Sequence, residues 1–319
     1  QYFDTHSRNI LSEFISSPGK KINPKFMSQG SFVYNTINLP LNPPIQQMDL
    51  DDGVYIPLSY LENESDGSFQ DVSGIIRDTI FNCIDNLCIS QKRSKCLRVE
   101  ISAKSHIDLP IYSIPDNEIQ SISSLFNILE LHHYQKNKDV LLATDNGWIE
   151  SDPRIIQEWV KNTKRRHGNK FIYYSRYLKA WRDCQYSQDD SKFSSIMIMA
   201  GVDQALLKHG YAENKNTALD LASVVLSIQH YLNSGGIKNP SDDSIKLDEK
   251  LPNRDKIVDK LNSLYLNLNE ATKTGNVGLL TNSFGYRFPS DNGALSTIAP
   301  PIFATSPVYN SPIKQSKRY

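Results

Sequence analysis

The chain has 319 residues, of which 39% are hydrophobic, and its 35 acidic residues balance its 35 basic residues. A chain of this length can bury a large core, and we expect two lobes. The balanced charge argues against a long nucleic-acid-binding tract, and no apolar run approaches the roughly 18 residues needed to span a bilayer. We therefore expect a cytoplasmic protein without a membrane segment.

In the first part of the chain, apolar patterning predicts helices packed on a sheet. Residues 4–16 have the spacing of a short amphipathic helix, and residues 71–88 repeat isoleucine and leucine at helical intervals. Between them, a strand is expected to carry an acidic motif and to continue through residues 54–58. Further strands are predicted at 97–102, 107–112 and about 139–143. Residues 1–150 are therefore expected to form a sheet lobe.

The second part of the chain is predicted to be helical. Asp152 before Pro153 is typical of a helix start, with the acid as N-cap and proline at the first helical position. Apolar stripes predict further helices at about 168–185, 194–208, 221–232 and 257–268.

Two segments of this second part are predicted to have no regular structure. Residues 235–253 are polar and contain two prolines, which favours a loop. Residues 291–319 are rich in Ser, Pro and Asn and are predicted to form a flexible tail. The predicted fold class is therefore α+β, with a sheet lobe followed by a helical lobe at 151–290.

Two short motifs in the sheet lobe carry groups suited to phosphate and metal chemistry. Gly30 allows the backbone to approach a phosphate closely, and the Ser31 hydroxyl can donate to a phosphate oxygen. Asp49 and Asp51 are alternate residues on a predicted strand, so both side chains point to one face. Two ionised carboxylates at such a short distance repel each other unless a cation lies between them. A pair of Mg²⁺ ions does this and stabilises both oxygens of an in-line phosphoryl displacement.

Each motif also has a simpler interpretation. Gly-Ser is a common turn sequence, and Asp-Leu-Asp-Asp-Gly also suits an exposed turn or a Ca²⁺ loop. An EF-hand loop beginning at Asp49 would need Gly at its sixth position and Glu at its twelfth, where this chain has Val54 and Tyr60. A P-loop is excluded because the chain contains no Gly-Lys-Ser/Thr sequence.

A third carboxylate lies in the strand-like run Ile107-Asp108-Leu109-Pro110-Ile111-Tyr112. Unpaired acids are rarely buried. Asp108 could therefore pair with a Lys or Arg, face solvent on an edge strand beside Pro110, or join the other two acids at a metal site. Its occurrence together with Asp49 and Asp51 favours the metal site. We predict a three-carboxylate, two-metal site.

The four cysteines offer a weaker alternative for metal binding. Cys83, Cys88, Cys96 and Cys184 contain no CxxC pair, which favours reduced thiols. A zinc site built from Cys83, Cys88 and His132-His133 would use a spacing that matches no standard ligand set.

Several blocks of sequence between about residues 28 and 199 carry a family resemblance. They are SQGSFVYNT at 28–36, MDLDDGVY at 48–55, HIDLPIY at 106–112, WIESDP at 148–153, LKAWRD at 178–183 and SSI at 194–196. These blocks closely resemble the bacterial cGAS/DncV-like nucleotidyltransferases, also called CD-NTases, whereas the helical region after Gly201 is similar only in outline. The resemblance implies a polymerase-beta-like nucleotidyltransferase core at 1–150, a helical lobe at 151–290 that closes the nucleotide cleft, and an active site between them.

For the catalytic centre, the resemblance implies that Asp49, Asp51 and Asp108 are the catalytic residues and hold two Mg²⁺ ions, with Mn²⁺ as the alternative cation. Gln29, Gly30 and Ser31 fall in the block that binds nucleotide. Of these, Gly30 and Ser31 would hold the phosphates of the donor nucleotide.

Four further nucleotide-binding residues are implied, each with a structural alternative. Tyr34 matches a position whose ring stacks on a nucleobase, and its alternative is a packed strand tyrosine. Arg98 matches a position near the acceptor nucleotide, and its alternative is an ion pair with one of the aspartates. Lys179 and Ser194 match positions that contact the donor triphosphate, and the alternative for Lys179 is a solvent-exposed helix face.

The resemblance implies a cyclic dinucleotide synthase, which makes cGAMP or a related cyclic oligonucleotide from ATP, GTP or other NTPs and releases pyrophosphate. It further implies bacterial anti-phage (CBASS) signalling, a separate effector activated by the product, and regulatory or conjugating partner proteins, with no membrane and no long nucleic acid required. A template-independent RNA or tRNA nucleotidyltransferase is one alternative, against which the balanced charge argues. A catalytically silent nucleotide-binding scaffold is another, against which the three acids argue.

Overall fold

The computed structural model describes residues 16–17, 20–21, 24–62, 71–85, 90–119, 122, 140–186, 193–209 and 217–285. Within these residues a mixed sheet forms one lobe and a group of packed helices forms the other, so the predicted α+β class is confirmed. The predicted tail at 291–319, nearly all of the predicted helix at 4–16 and the side chains of the zinc alternative lie outside the described residues.

The sheet lobe is built on eight strands, preceded by a small hairpin of β1 (Ser16–Ser17) and β2 (Lys20–Lys21). The predicted strand at 97–102 is confirmed, and the one predicted at 107–112 is divided in two at Pro110. The strands of the sheet are β3 (Lys25–Gln29), β4 (Met48–Pro57), β5 (Ser90–Arg93), β6 (Cys96–Ser102), β7 (Ser105–Leu109), β8 (Ile111–Ile114), β9 (Leu141–Thr144) and β10 (Gly147–Glu150).

Strand β4 connects the parts of this sheet. It pairs antiparallel with β3 and parallel with both β7 and β8. Pro110, between β7 and β8, has no N–H to donate, but its carbonyl accepts a hydrogen bond from the Val54 N–H at 2.9 Å. Residues 52–56 of β4 are buried, whereas Asp49 near its beginning is exposed. The same strand therefore anchors the core and presents polar groups at its N-terminal end.

Helix α2 (Ser73–Asp85) covers one face of the sheet, which confirms the helix predicted at 71–88 over the residues described there. Its residues Ile76, Ile80 and Ile84 are buried in a cluster with apolar side chains from the strands. The spacing of four residues puts these side chains on one side of the helix. A short 3₁₀ turn, Leu58–Leu61, follows β4 and contributes Leu61 to the same cluster.

The helical lobe has its own core, in which Trp181 and Phe171 are almost completely buried. The predicted cap is confirmed, because the Asp152 carboxylate accepts from the Arg154 backbone N–H at 3.0 Å. A π-helical turn, Tyr231–Gly235, continues the fourth of the lobe's helices. The helices are α3 (Pro153–His167), α4 (Asn169–Gln185), α5 (Ser195–His209), α6 (Thr217–His230), α7 (Arg254–Thr274) and α8 (Gly278–Phe284).

The prediction of a loop throughout residues 235–253 is wrong. Strands β11 (Lys238–Asn239) and β12 (Asp242–Lys246) form a hairpin there. These short strands are polar and mostly exposed, so they lack the apolar alternation that identifies a strand in sequence. None of the helices described by the structure is long and apolar enough to cross a membrane.

Candidate active site

The pairing of β4 with β7 brings the three predicted catalytic acids together. In the parallel register, Asp51 lies beside Asp108, and Asp49 lies beside His106. On the other side of β7, Arg98 of β6 lies opposite Asp108. The site is therefore assembled from side chains at fixed positions on three adjacent strands, which holds their relative geometry more firmly than loops would.

Because Gly30 has no Cβ atom, the Asp51 carboxylate can lie directly beside it. A Cβ atom on residue 30 would lie 1.9 Å from Asp51 Oδ2 and 2.9 Å from Asp51 Cγ. The backbone at this position has a φ of +71°, which L-residues rarely adopt. Gly30 also begins the short helix α1 (Gly30–Val33), which places Ser31 next to the acids.

The Gln29 side chain is buried behind this glycine. Its Nε2 donates to the Tyr112 hydroxyl at 3.1 Å, and its Oε1 accepts from the Tyr55 hydroxyl at 3.4 Å. The two tyrosine rings are stacked with their centroids 5.0 Å apart. Gln29 thus fixes the end of β3 from inside the sheet lobe, although it also lines one of the cavities described below.

Arg98 holds Asp108 with two parallel hydrogen bonds. Its Nε donates to Asp108 Oδ1 at 2.7 Å, and one terminal nitrogen donates to Oδ2 at 2.8 Å. This geometry is the strong, bidentate form of an arginine–carboxylate pair, and it raises the pKa of Arg98. The ion pair considered from the sequence is confirmed. Asp108 is paired with Arg98 and also lies beside Asp51 in the strand register, and its role at a metal site stays a prediction.

The carboxyl group of Asp51 is the most perturbed acid in the site. Burial, followed by the negative charges of Asp49 and Asp108, raises its pKa from 3.8 to about 7. Arg98 and Lys179 oppose this rise without cancelling it. The protein alone therefore does not supply enough positive charge for all three carboxylates to ionise readily.

Asp49, His106 and Asp108 form a group that could hold a metal ion, since one ligand atom from each lies within 4.8 Å of the others. Asp51 is not in this group, and His106 is a residue that the sequence reasoning missed. A signal for it was available: His106 lies two residues before Asp108 on a strand, so both side chains face the same side. Carboxylate oxygens and imidazole nitrogen both bind divalent cations, and the site therefore fits a metal.

Two adjoining cavities, of about 500 and 410 Å³, open beside Asp49. Both are lined by Ser31, Asp49, Lys179 and Ser195. The larger also contacts Arg98, and the smaller contacts Asp51. Because the shared residues come from both lobes, the cavities lie in the cleft between the sheet and the helices.

Tyr34 lines the smaller cavity together with Gln29 and Gly30. Its ring is half-buried and packs against the core of the helical lobe. Burial, and next the charge of Asp51, raise the pKa of its hydroxyl. Tyr34 is not a strand residue, because it lies in the turn that directly follows α1. Its placement at a cavity wall is compatible with the predicted stacking on a base, which stays a prediction.

Lys179 of α4 is buried, so the alternative of a solvent-exposed helix face is wrong. Its Nζ donates to the Thr36 carbonyl at 2.7 Å, which links α4 to the segment after α1. Burial is the main cause that lowers the pKa of this amine from 10.5 to about 7. A lysine with this pKa gains and loses its proton near neutral pH, and its position on both cavities suits contact with phosphate.

Ser194 lies at the start of α5 and lines neither cavity. Its hydroxyl accepts from the Met197 backbone N–H at 3.3 Å, as a helix-capping side chain does. The adjacent Ser195 lines both cavities, and its hydroxyl accepts from Arg182 at 3.2 Å. The structure therefore places the neighbouring serine, not Ser194, at the cavity wall.

Two family models match the chain. Residues 24–112 match the nucleotidyltransferase domain described as "Cyclic GMP-AMP synthase DncV-like". Residues 168–297 match "Cyclic GMP-AMP synthase, C-terminal domain". All the acids described above lie in the first match, and Lys179 and Ser195 lie in the second.

Curated relatives carry the same name. A cyclic GMP-AMP synthase of Escherichia coli strain TW11681 is 28% identical over an alignment of 324 positions, which covers 90% of this chain and 73% of that protein. A cyclic GMP-AMP synthase of Vibrio cholerae is 31% identical over 206 residues. That alignment covers 56% of this chain and 46% of the Vibrio protein, so the chain spans less than half of that relative.

Solved structures of the Vibrio cholerae di-nucleotide cyclase DncV share the fold. The complex with GTP and 5MTHFGLU2 superposes with a TM-score of 0.70 at 26% identity, covering 91% of this chain and 74% of that one. The complex with the linear intermediate 5′ pppA(3′,5′)pG superposes with a TM-score of 0.65 at 26% identity, covering 84% and 70%. The likeness therefore extends across both lobes.

Proposed function

Because the chain belongs to the DncV-like nucleotidyltransferases, we propose that it condenses ATP and GTP, or a related pair of NTPs, into a cyclic dinucleotide. The observation that carries this proposal is the position of Asp49, next to the other two acids on the sheet, between two adjoining cavities. Each cavity can accept one nucleotide, and Asp49 lies on the wall of both. A site with this arrangement brings the hydroxyl of one nucleotide to the phosphate of the other.

Asp49, Asp51 and Asp108 would hold two Mg²⁺ ions, since Mg²⁺ prefers oxygen ligands and commonly binds through carboxylates and substrate phosphates. Such ions would lower the pKa of the attacking hydroxyl and would neutralise charge on the leaving pyrophosphate. The raised pKa of Asp51 supports this assignment, because it shows that the acids lack positive charge in the protein alone.

The chain's own residues have distinct tasks in the proposed reaction. Ser31 and the Gly30 N–H bind the donor's phosphates, and Lys179 binds them from the helical lobe. Asp108, held by Arg98, accepts the proton of the attacking ribose hydroxyl as the new phosphodiester bond forms. The bond between the α-phosphorus and pyrophosphate breaks at the same phosphorus. The linear product then reverses its orientation in the cleft. Its free hydroxyl attacks its own α-phosphorus, and a second pyrophosphate leaves.

We further propose that the product is a cyclic GMP-AMP or a close relative, and that it acts in bacterial anti-phage signalling in the cytoplasm. The names of the curated relatives support the choice of product. The family resemblance supports the signalling role, in which a separate effector protein binds the cyclic product.

Incubation of the chain with four labelled NTPs and Mg²⁺, followed by phosphatase treatment and mass spectrometry, tests this proposal. A phosphatase-resistant cyclic product is expected, and it should be lost in Asp49→Asn and Asp51→Asn. Asp78→Asn is the matched control, because this acid lies on the exposed side of α2 and pairs only with Lys92 among the described contacts. Extension of an added RNA primer without a cyclic product would instead identify an RNA nucleotidyltransferase.

A further inference from the structure

His106 occupies the place of a metal ligand between two of the catalytic carboxylates. We propose that His106 Nε2 coordinates a divalent cation together with Asp49 and Asp108, and that this nitrogen makes the site prefer Mn²⁺ to Mg²⁺. The inference deepens the proposed function, on which it rests for the identity of the site. It assigns a role to a side chain that an all-carboxylate site does not use.

The distances in the site suit one shared ion. His106 Nε2 lies 3.0 Å from Asp49 Oδ1 and 4.0 Å from Asp108 Oδ1. Ligands with bonds of about 2.1 Å to one ion lie roughly 3.0 Å apart at a right angle and about 4.2 Å apart across the ion. The two observed separations lie close to these values, and the three ligand atoms all lie within 4.8 Å of one another.

The histidine ring is held in the orientation that this role needs. His106 Nδ1 lies 2.7 Å from Gln47 Oε1. The Gln47 amide cannot be reversed without loss, because its Nε2 donates to Glu100 Oε2 at 3.2 Å and to the Ser102 carbonyl at 3.3 Å. Nδ1 is therefore the donor to Gln47, and Nε2 is directed at the carboxylates.

This arrangement resembles the general pattern of metal-binding histidines, which donate their second ring N–H to an acceptor that fixes the ring. The His106 side chain is only 7% exposed, in contrast to the half-exposed side chain of Asp49. A ring that is already held by packing loses little conformational freedom when it binds an ion. The protein has thus positioned the nitrogen ligand before any ion arrives.

The choice of cation follows from the ligand types. Mg²⁺ strongly prefers oxygen ligands in a near-ideal octahedron and retains its waters. Imidazole nitrogen raises the affinity for transition metals, of which Mn²⁺ also accepts carboxylates and phosphates. A site with two carboxylates and one imidazole therefore favours Mn²⁺ more than a site with carboxylates alone.

The test uses the full chain and Mn²⁺ alone, without nucleotide, followed by electron paramagnetic resonance. In pulsed measurements, the electron spin echo of bound Mn²⁺ should be modulated at the frequencies of a directly coordinated ¹⁴N nucleus. These frequencies should change to those of ¹⁵N when the chain is made with ¹⁵N-histidine. His106→Gln should abolish this modulation and lower the Mn²⁺ affinity by about tenfold or more. It should also reduce the preference for Mn²⁺ over Mg²⁺ in competition. His230→Gln is the matched control, because His230 is exposed on α6, and it should leave the spectrum unchanged.

Mn²⁺ that binds the wild-type chain with only oxygen ligands would overturn the inference, as would a failure of the wild-type chain to bind Mn²⁺. The labelled wild-type spectrum gives this answer even if His106→Gln does not fold. Such a result would leave the proposed cyclisation intact, since that reaction is measured separately with NTPs and Mg²⁺. Conversely, a ¹⁴N signal without any cyclic product would retain the metal ligand and refute the proposed reaction.

Discussion

Replacement of Gly30 by alanine should disable the site while leaving the fold largely intact. The new Cβ would lie 1.9 Å from Asp51 Oδ2, and real Cβ atoms essentially never approach a heavy atom closer than 3.0 Å. Because Asp51 is held on the central strand β4, its carboxylate would have to rotate away by about 1.1 Å. That movement would take the carboxylate away from the proposed metal site.

The expected magnitudes differ for activity and stability. A misplacement of about 1 Å at a reacting centre can lower a rate by about 10²-fold. The φ of +71° adds a conformational cost of about 1–2 kcal/mol for an L-residue in the left-handed region. We expect Gly30→Ala to lose at least about 10² in the rate of cyclic product formation, and to lose about 1–2 kcal/mol in the free energy of unfolding.

Two other glycines separate these effects. Gly168, between α3 and α4, has a φ of +62° and a ψ of −152°, a conformation that L-residues avoid. A Cβ added there would meet no atom within 4 Å, so Gly168→Ala should lower stability without lowering activity. Gly74 in α2 has open space and ordinary helical geometry, so Gly74→Ala should be neutral or stabilising by about 0.5–1 kcal/mol. Rates with ATP, GTP and Mg²⁺ and urea unfolding curves are measured for all three variants. Near-normal activity in Gly30→Ala, or an equal activity loss in Gly168→Ala, would refute the reasoning.

Three further substitutions test the charges of the site. In the folded protein the Asp51 carboxyl has a pKa of about 7, compared with 3.8 when unfolded. In metal-free wild-type protein, Asp51 should therefore lower the free energy of unfolding by about 2–3 kcal/mol as the pH rises from 5 to 8. Urea unfolding in the presence of EDTA should show this fall in the wild type and not in Asp51→Asn. The Lys179 amine has a pKa of about 7 when folded and 10.5 when unfolded. It should therefore raise the free energy of unfolding by about 2–3 kcal/mol between pH 7 and 9, and Lys179→Met should abolish this rise. Arg98→Lys should lower the cyclisation rate by about 10–100-fold, since an ammonium group cannot make the two parallel hydrogen bonds to Asp108.

Each of these predictions has a clear contrary result. Identical pH slopes for wild type and Asp51→Asn would show that the carboxyl ionises normally in the folded protein. A stability rise above pH 7 that persists in Lys179→Met would assign it to other groups. Full activity in Arg98→Lys would mean that the bidentate geometry is dispensable. Lys92→Arg is a control for the exchange between lysine and arginine side chains. Lys92 lies in an exposed ion pair with Asp78, so this substitution should leave the rate unchanged.

Much of the fold could be predicted from local patterns. Strand β4 is recognisable because its acids alternate with core residues, and α2 because Ile76, Ile80 and Ile84 recur at helical spacing. The cap at Asp152 follows from the adjacent proline. These elements share a physical property: each buries one regular face, and burial imposes a period on the sequence. The hairpin of β11 and β12 buries little and imposes no such period, so it was missed.

The site could be predicted only in part, because its chemistry depends on contacts between distant segments. Three acids on predicted strands indicated a metal site, but the register that sets Asp51 beside Asp108 is a property of strand pairing. The burial of Lys179 depends on which side of α4 faces the sheet lobe, and a helix rich in aromatic residues does not reveal this. His106 could be found from its spacing of two residues to Asp108, but its contacts with Asp49 and Gln47 depend on how distant segments pair.

The charges of the metal-free protein explain how metal and nucleotide can assist each other's binding. Without a cation, the raised pKa of Asp51 leaves that carboxyl partly protonated at neutral pH, and Lys179 is only partly charged. Cations bound by Asp49 and its neighbours would displace the proton of Asp51, so metal affinity should rise with pH through about 7. The negative charge of the triphosphate would then favour the charged form of Lys179, so the Lys179 amine would gain a proton when the nucleotide binds. Since both groups line the same cavity, the full set of charges would be assembled only when metal and nucleotide are bound together, and we therefore expect nucleotidyl transfer only in the complete complex.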